Sequence, residues 1–116
     1  MSDFVYNGRV YYNPVDFAMG QIGGTWKIPI LWRLRKRTLR YKELQAAIPH
    51  ISQKMLTTQL RELEADGIIH REAYPVVPPK VEYSLTDKGR RAIEVIEVIR
   101  NYGLELMDEA GIERKY

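Results

Sequence analysis

Ile51-Ser52-Gln53-Lys54-Met55-Leu56-Thr57-Thr58-Gln59-Leu60-Arg61-Glu62-Leu63-Glu64-Ala65-Asp66-Gly67 is the stretch whose reading decides the fold. Met55, Leu56, Leu60 and Leu63 recur at helical spacing and give a helix one apolar stripe. Ser52, Gln53, Lys54, Thr57, Thr58 and Arg61 fall away from it, and their hydroxyl, amide and cationic groups suit base edges and phosphates. Beyond Gly67, Ile68 to Tyr74 and Val81 to Leu85 read as two strands joined by the proline-rich tip Pro75-Val76-Val77-Pro78-Pro79-Lys80. A polar helix followed by a hairpin is the outline of a winged helix-turn-helix.

Upstream, Tyr41 to Ile48 has the length and apolar spacing of a short helix that Pro49-His50 ends, and Ser52 is placed to cap the long helix after a tight turn. Two helices joined this closely form the helix-turn-helix, whose second member enters the major groove. Arg37 to Tyr41 reads as a third strand beside the hairpin. Earlier still, Asn13-Pro14 caps and opens a first helix that Gly23-Gly24 stops. Thr25 is placed to cap a second helix carrying Trp26, Ile28, Ile30, Leu31 and Leu34, with Pro29 expected to remove a donor and loosen its first turn. Trp26 and Trp32 read as core or interface residues. Tyr6, Tyr11 and Tyr12 argue that residues 1 to 12, an N-terminal arm, pack on something.

Downstream, Thr86 caps a last helix running from about 87 to 108, with Asp87 in its first turn. Its polar positions Glu94, Glu97, Asn101, Glu105 and Asp108 occupy a narrow strip. The apolar positions from Ile93 to Met107 sweep roughly 240°, against the arc of about 100° that one core face requires. That excess predicts a partner, and a second copy of the chain is the simplest one. The expected contact residues are Tyr11, Tyr12, Val95, Val98, Ile99, Tyr102 and Leu106.

A chain of 116 residues suits one hydrophobic core, expected here over residues 13 to 116, and the absence of cysteine leaves no disulfides to support it. The beginning lacks the charged head and apolar run of a signal peptide, and nothing reaches the roughly 18 apolar residues of a membrane span. A soluble cytoplasmic protein, nucleoid-associated when bound to DNA, is the expectation. The net charge is a modest +3, but it is polarised. Residues 17 to 61 hold nine bases (Lys27, Arg33, Arg35, Lys36, Arg37, Arg40, Lys42, Lys54, Arg61) against Glu43 alone, whereas residues 92 to 116 hold six acids against three bases. Such a chain can turn one surface toward a polyanion.

Several strings together resemble the HxlR family of winged-helix transcriptional regulators, over about Asn13 to Tyr102. They are Ile22-Gly23-Gly24-Thr25-Trp26, Arg40-Tyr41-Lys42-Glu43-Leu44, Ile51-Ser52-Gln53-Lys54-Met55-Leu56, Leu60-Arg61-Glu62-Leu63-Glu64-Ala65-Asp66-Gly67-Ile68-Ile69 and Val77-Pro78-Pro79-Lys80-Val81-Glu82-Tyr83-Ser84-Leu85-Thr86. The resemblance implies a homodimer joined through terminal helices, with two reading helices in successive major grooves of a near-palindromic operator. The fold expected is mainly α with a small antiparallel β-sheet: a winged helix-turn-helix with an added N-terminal helix and a long C-terminal dimerisation helix. Two departures qualify it. The family often carries a cysteine immediately before the first-helix proline, where this chain has Asn13, so thiol sensing is unavailable. It also tends to place lysine directly before the tryptophan, where Thr25 stands here and Lys27 follows.

On this reading, Gln53, Lys54, Thr57 and Thr58 read bases, glutamine favouring adenine and lysine guanine. Arg40, Lys42 and Arg61 hold phosphates, Ser52 divides between capping and a phosphate, and Arg71 and Lys80 reach DNA from the wing, with His70 a weaker candidate. The rival readings are an enzyme and a winged-helix protein-interaction module. No cysteine, two isolated histidines and no phosphate loop leave neither a catalytic set nor a metal or cofactor site. A protein-interaction module calls for apolar contact residues where Ser52, Gln53, Lys54, Thr57 and Thr58 stand. Trp26, Trp32, Tyr41 and Tyr102 are candidate walls for a small-molecule effector, although core packing accounts for each more economically.

Overall fold

The computed structural model describes residues 3 to 115. Its elements in order are β1 (Phe4–Tyr6), β2 (Arg9–Tyr11), α1 (Pro14–Ile22), α2 (Lys27–Leu34), β3 (Leu39–Arg40), α3 (Tyr41–Ala47), α4 (Gln53–Ala65), β4 (Ile69–Tyr74), β5 (Lys80–Leu85) and α5 (Asp87–Glu109). β3, β5 and β4 form an antiparallel sheet in that order, with Leu39 opposite Tyr83 and Arg71 opposite Tyr83 from the other side. The architecture is a winged helix-turn-helix, mainly helical, with a small sheet.

Three caps stand where the sequence places them. The Asn13 side chain accepts from the Asp16 amide at 2.8 Å, Ser52 Oγ from the Met55 amide at 3.0 Å, and Thr86 Oγ1 from the Gly89 amide at 3.1 Å. Each satisfies an amide that a helix start leaves without an internal partner. Asn13, which the resemblance marks as a departure, is thus a structural cap.

The expected Thr25 cap is displaced by one residue: Trp26 is the N-cap of α2, without a side-chain bond. Proline supplies the reason. A helix capped at Thr25 would put Pro29 at its fourth position, where an amide is needed; capped at Trp26, Pro29 is third and loses nothing. The first bond of the helix is then Ile30 N–H to the Trp26 carbonyl, 3.1 Å, so Pro29 does not loosen the turn. The third strand is also shorter than Arg37 to Tyr41. Arg40 N–H donates to the Glu43 carboxylate at 2.8 Å, which turns the chain into α3 at Tyr41.

The core joins α2, α3, α4, the sheet and the first half of α5 through Ile30, Leu31, Leu44, Leu56, Leu60, Leu63, Ile68, Ile69 and Ile96, all nearly solvent-free. Met55 is not part of it. Lying about 100° around the helix from Leu56, it is exposed and its sulfur accepts from Gln59 Nε2. At the N-terminus, β1 and β2 pair as a hairpin whose rings close on α1. Phe4 stacks on Tyr11 at 5.6 Å between centroids, and Phe4, Tyr6 and Tyr11 all meet Phe17 edge-on at 4.9 to 5.3 Å. Tyr11, expected at a contact between copies, is therefore buried inside its own subunit, whereas Tyr12 is exposed.

Candidate nucleic-acid interface

The helix-turn-helix is held at its corner by one phenol. Tyr41 Oη donates to the Gln53 carbonyl at 2.9 Å and lies 3.1 Å from Thr57 Oγ1, tying the start of α3 to the first turns of α4. Lys27 holds the opposite flank of α4. Its buried ammonium donates to Glu62 Oε1 at 2.7 Å, so one of the nine basic side chains counted toward DNA is spent internally.

Between these two ties, α4 presents its outer face. Leu56, Leu60 and Leu63 point inward. At about 100° per residue, Lys54, Thr58 and Arg61 share an arc of about 60° on the far side. All three are exposed. Gln53 is exposed in the first turn, and Thr57 is half-buried at the flank toward Tyr41. Thr58 Oγ1 donates to the Lys54 carbonyl at 2.9 Å. Ser52 uses its oxygen as the cap and keeps its hydroxyl proton for an outside acceptor.

Phosphate candidates flank this face. Arg40 and Lys42, at the start of α3, are exposed, and Arg71 on β4 shares a hollow of about 410 Å³ with Tyr41, Thr57, Arg61 and Glu64. Among the described residues, Arg40, Lys42, Lys54, Arg61 and Arg71 enter no ion pair. Glu43, the acid next to Lys42, is occupied. The Arg40 backbone amide, above all, and the Arg37 guanidinium at 3.3 Å hold its carboxyl below its ordinary pKa. The wing is less free. Lys80 Nζ sits 3.5 Å from Glu82 Oε2 and 4.9 Å from the Tyr74 ring centroid, so a phosphate there competes with a carboxylate. Hydrogen bonding to the same Glu82 raises the Tyr74 phenol pKa. His70 pairs with Glu72 at 3.2 Å.

Away from this face, α5 carries Val95, Val98, Ile99, Tyr102 and Leu106, all exposed; Val98 is 69% and Tyr102 61% accessible. Beside them a groove of about 620 Å³ separates α5 from α2, lined by Trp32, Ile99, Gly103, Leu104 and Met107, with Arg35 3.9 Å from the Trp32 ring centroid. Trp26 packs on the core instead, and Tyr41 is committed to α4. Among the described residues, no helix is long and apolar enough to cross a membrane and no three metal-ligating side chains cluster.

Sequence reasoning missed Tyr41 as the corner clamp and Lys27–Glu62 as the flank tie. Both are single polar contacts across elements, and neither leaves a trace in helical periodicity.

Comparison with known proteins agrees with this architecture. Residues 21 to 110 match the family described as HxlR-like helix-turn-helix. The chain is 48% identical over 90 residues to the HTH-type transcriptional regulator YybR of Bacillus subtilis strain 168, covering 78% of this chain and 72% of that protein. It is 42% identical over 109 residues to the HTH-type transcriptional regulator BH0655 of Halalkalibacterium halodurans, covering 90% and 96%. Among solved structures, the redox regulator HypR in its reduced form superposes with a TM-score of 0.81 at 44% identity, covering 85% of this chain and 98% of that one. With a helix-turn-helix, a wing and an acid-poor outer face on its second helix, the chain belongs to the HxlR-like helix-turn-helix family of transcriptional regulators.

Proposed function

We propose that this regulator binds double-stranded DNA sequence-specifically, as a homodimer on a near-palindromic operator. The observation that carries the reading is the outer face of α4. Lys54, Thr58 and Arg61 share one exposed arc opposite the core residues, with no acid among the three. In this docking mode such a face enters the major groove, with Gln53, Lys54, Thr57 and Thr58 near base edges. Arg40, Lys42, Ser52, Arg61 and Arg71 hold phosphates and set register. Lys80 joins them from the wing on exchanging Glu82 for a phosphate.

The second copy covers the apolar face of α5, through Val95, Val98, Ile99, Tyr102 and Leu106, with Tyr12 at its edge. A contiguous row of exposed aliphatic and aromatic side chains marks a contact surface, and a twofold axis through it doubles the reading helix. The groove beside Trp32 adjoins this face and is the place on the subunit for a small-molecule effector. The protein works in the cytoplasm, on the nucleoid when DNA-bound, and the family reading gives it no catalytic task.

Selection of bound sequences from a random duplex pool tests the proposal. Two inverted half-sites about one helical turn apart are expected. With about six to ten phosphates neutralised, affinity should drop by about 10³ to 10⁵ between 50 and 200 mM salt. An asymmetric motif, or an affinity indifferent to salt, contradicts the reading.

A further inference from the structure

Hydrogen-bond accounting around α4 goes one step further and depends on that DNA-reading proposal. A carbonyl oxygen only accepts, so the Tyr41 hydroxyl proton must point at the Gln53 carbonyl 2.9 Å away. Tyr41 Oη then has only lone pairs to offer Thr57 Oγ1, 3.1 Å distant, and the proton of that contact has to come from Thr57. Thr58 spends its own proton on the Lys54 carbonyl at 2.9 Å. Both threonines therefore have lone pairs and no free donor left to offer, although a threonine hydroxyl ordinarily does either.

We infer that Thr57 and Thr58 act as acceptor-only readers, selecting the exocyclic amino group of adenine or cytosine on the strand each one faces, with Tyr41 the residue that sets the polarity of Thr57. In the major groove, adenine N6 and cytosine N4 are donors, whereas guanine O6 and thymine O4 are acceptors that would meet the threonine lone pairs head-on. Lys54, between them on the outer arc, is donor-only and suits guanine. The reading face thus has a fixed pattern of donors and acceptors, and it is set partly by a side chain that need not touch DNA. Tyr41 is a positioning residue: it acts through Thr57.

Random-pool selection with the wild-type chain, Tyr41→Phe, Thr57→Val, Thr57→Ser and Thr58→Val tests this, with thermal melts checking that each variant folds. For the wild type, two positions of each half-site should be confined to adenine or cytosine on one strand. Tyr41→Phe removes the oxygen that takes the Thr57 proton, so the hydroxyl can donate again. The amino-base preference at the Thr57 position should relax by about 2- to 10-fold, the range of one hydrogen bond, while the Thr58 position stays unchanged. Thr57→Val should abolish the preference at that same position and Thr57→Ser should retain it. A merely structural tyrosine would lower affinity for every sequence alike and leave the motif intact, which would overturn the inference while leaving DNA reading in place. Guanine or thymine enriched opposite Thr57 or Thr58 in the wild type would overturn it as well. A wild-type chain that enriches no sequence overturns the DNA-reading proposal and this inference together.

Discussion

Replacing each partner of the Lys27–Glu62 pair in turn should expose an asymmetry that the burial of the two groups dictates. Lys27 Nζ lies 2.7 Å from Glu62 Oε1, but the lysine side chain is 9% exposed and the glutamate 50%. A buried ammonium costs several kcal/mol unless it is paired, whereas a half-exposed carboxylate can fall back on water. Removing one partner of a fully buried pair costs about 3 to 5 kcal/mol; water reaching Glu62 reduces that, leaving about 1 to 3 kcal/mol for Glu62→Ala. Lys27→Met keeps the aliphatic stem in place and deletes the charge that needs a partner, at about 0 to 1 kcal/mol. Urea denaturation at fixed protein concentration reads both as midpoint shifts at constant slope. A Lys27→Met variant less stable than Glu62→Ala would refute the reasoning. The same variant has a second readout. Because Lys27 is buried, its loss should not change the slope of log affinity against log salt, whereas Lys42→Ala should reduce that slope by about 1. A flatter slope for Lys27→Met would return that lysine to the DNA-facing set.

Ile99→Asp, in the middle of the exposed face of α5, should convert a dimer to single subunits in sedimentation and lower operator affinity by about 100-fold or more through lost bivalency. A dimer that survives both Ile99→Asp and Val98→Asp would place the contact elsewhere. Glu43 has a folded-state pKa below its ordinary value, so its contribution to stability is complete above the unfolded pKa and fades as pH falls through the folded one. Glu43→Gln should therefore flatten the acid limb of a stability-against-pH curve and leave neutral stability less sensitive to acidification; an unchanged limb would contradict the assignment. A thiol-specific oxidant should leave operator binding unaltered in a gel shift, because Asn13 serves only as the cap of α1 and the chain contains no cysteine. Oxidant-induced release of DNA would show a sensor of another chemistry.

What was legible in the sequence was whatever repeats along a helix or sits at its ends. Asn13, Ser52 and Thr86 announced three helix starts because a cap requires a short side-chain oxygen just before an apolar period. The α5 face was legible for a related reason: its apolar arc is wider than one core can cover. Thr25 misleads because Pro29 reads in sequence as a local loosening of the first turn, whereas in the fold its missing amide chooses the register of α2. Met55 misled because a stripe inferred from spacing has blurred edges, and a flexible thioether survives at such an edge. Tyr11 reads as a residue that packs on something, and a second copy is the expected partner, because nothing in the local pattern reveals that Phe17, on the next helix, closes over it. The donor and acceptor pattern of the reading face was beyond reach altogether. It depends on which lone pair each proton points at, and Tyr41 stands 16 residues before Thr57.

Two strings far apart in the chain, Leu63-Glu64-Ala65-Asp66-Gly67-Ile68 and Leu85-Thr86-Asp87-Lys88-Gly89, meet at one joint. Gly67, at φ +73°, ends α4, with Ile68 N–H bonded to the Leu63 carbonyl and Gly67 N–H to the Glu64 carbonyl. The start of α5 grips that turn. Thr86 Oγ1 lies 2.6 Å from the Gly67 carbonyl and 2.9 Å from that of Ile68, Lys88 Nζ donates to the Asp66 carbonyl at 2.6 Å, and a Cβ on Gly89 would collide with the Ile68 carbonyl oxygen. The reading helix and the helix proposed to join the subunits are therefore fastened to each other through this one tight turn, which the start of α5 grips at three successive carbonyls. That matters because α5 is 23 residues long, about 34 Å. A tilt of about 10° at the joint would move its far end by about 6 Å, more than the rise of one base pair, about 3.4 Å. A dimer that must register two half-sites to within a base pair needs this joint rigid, and small residues with short hydroxyl and carbonyl contacts make it so.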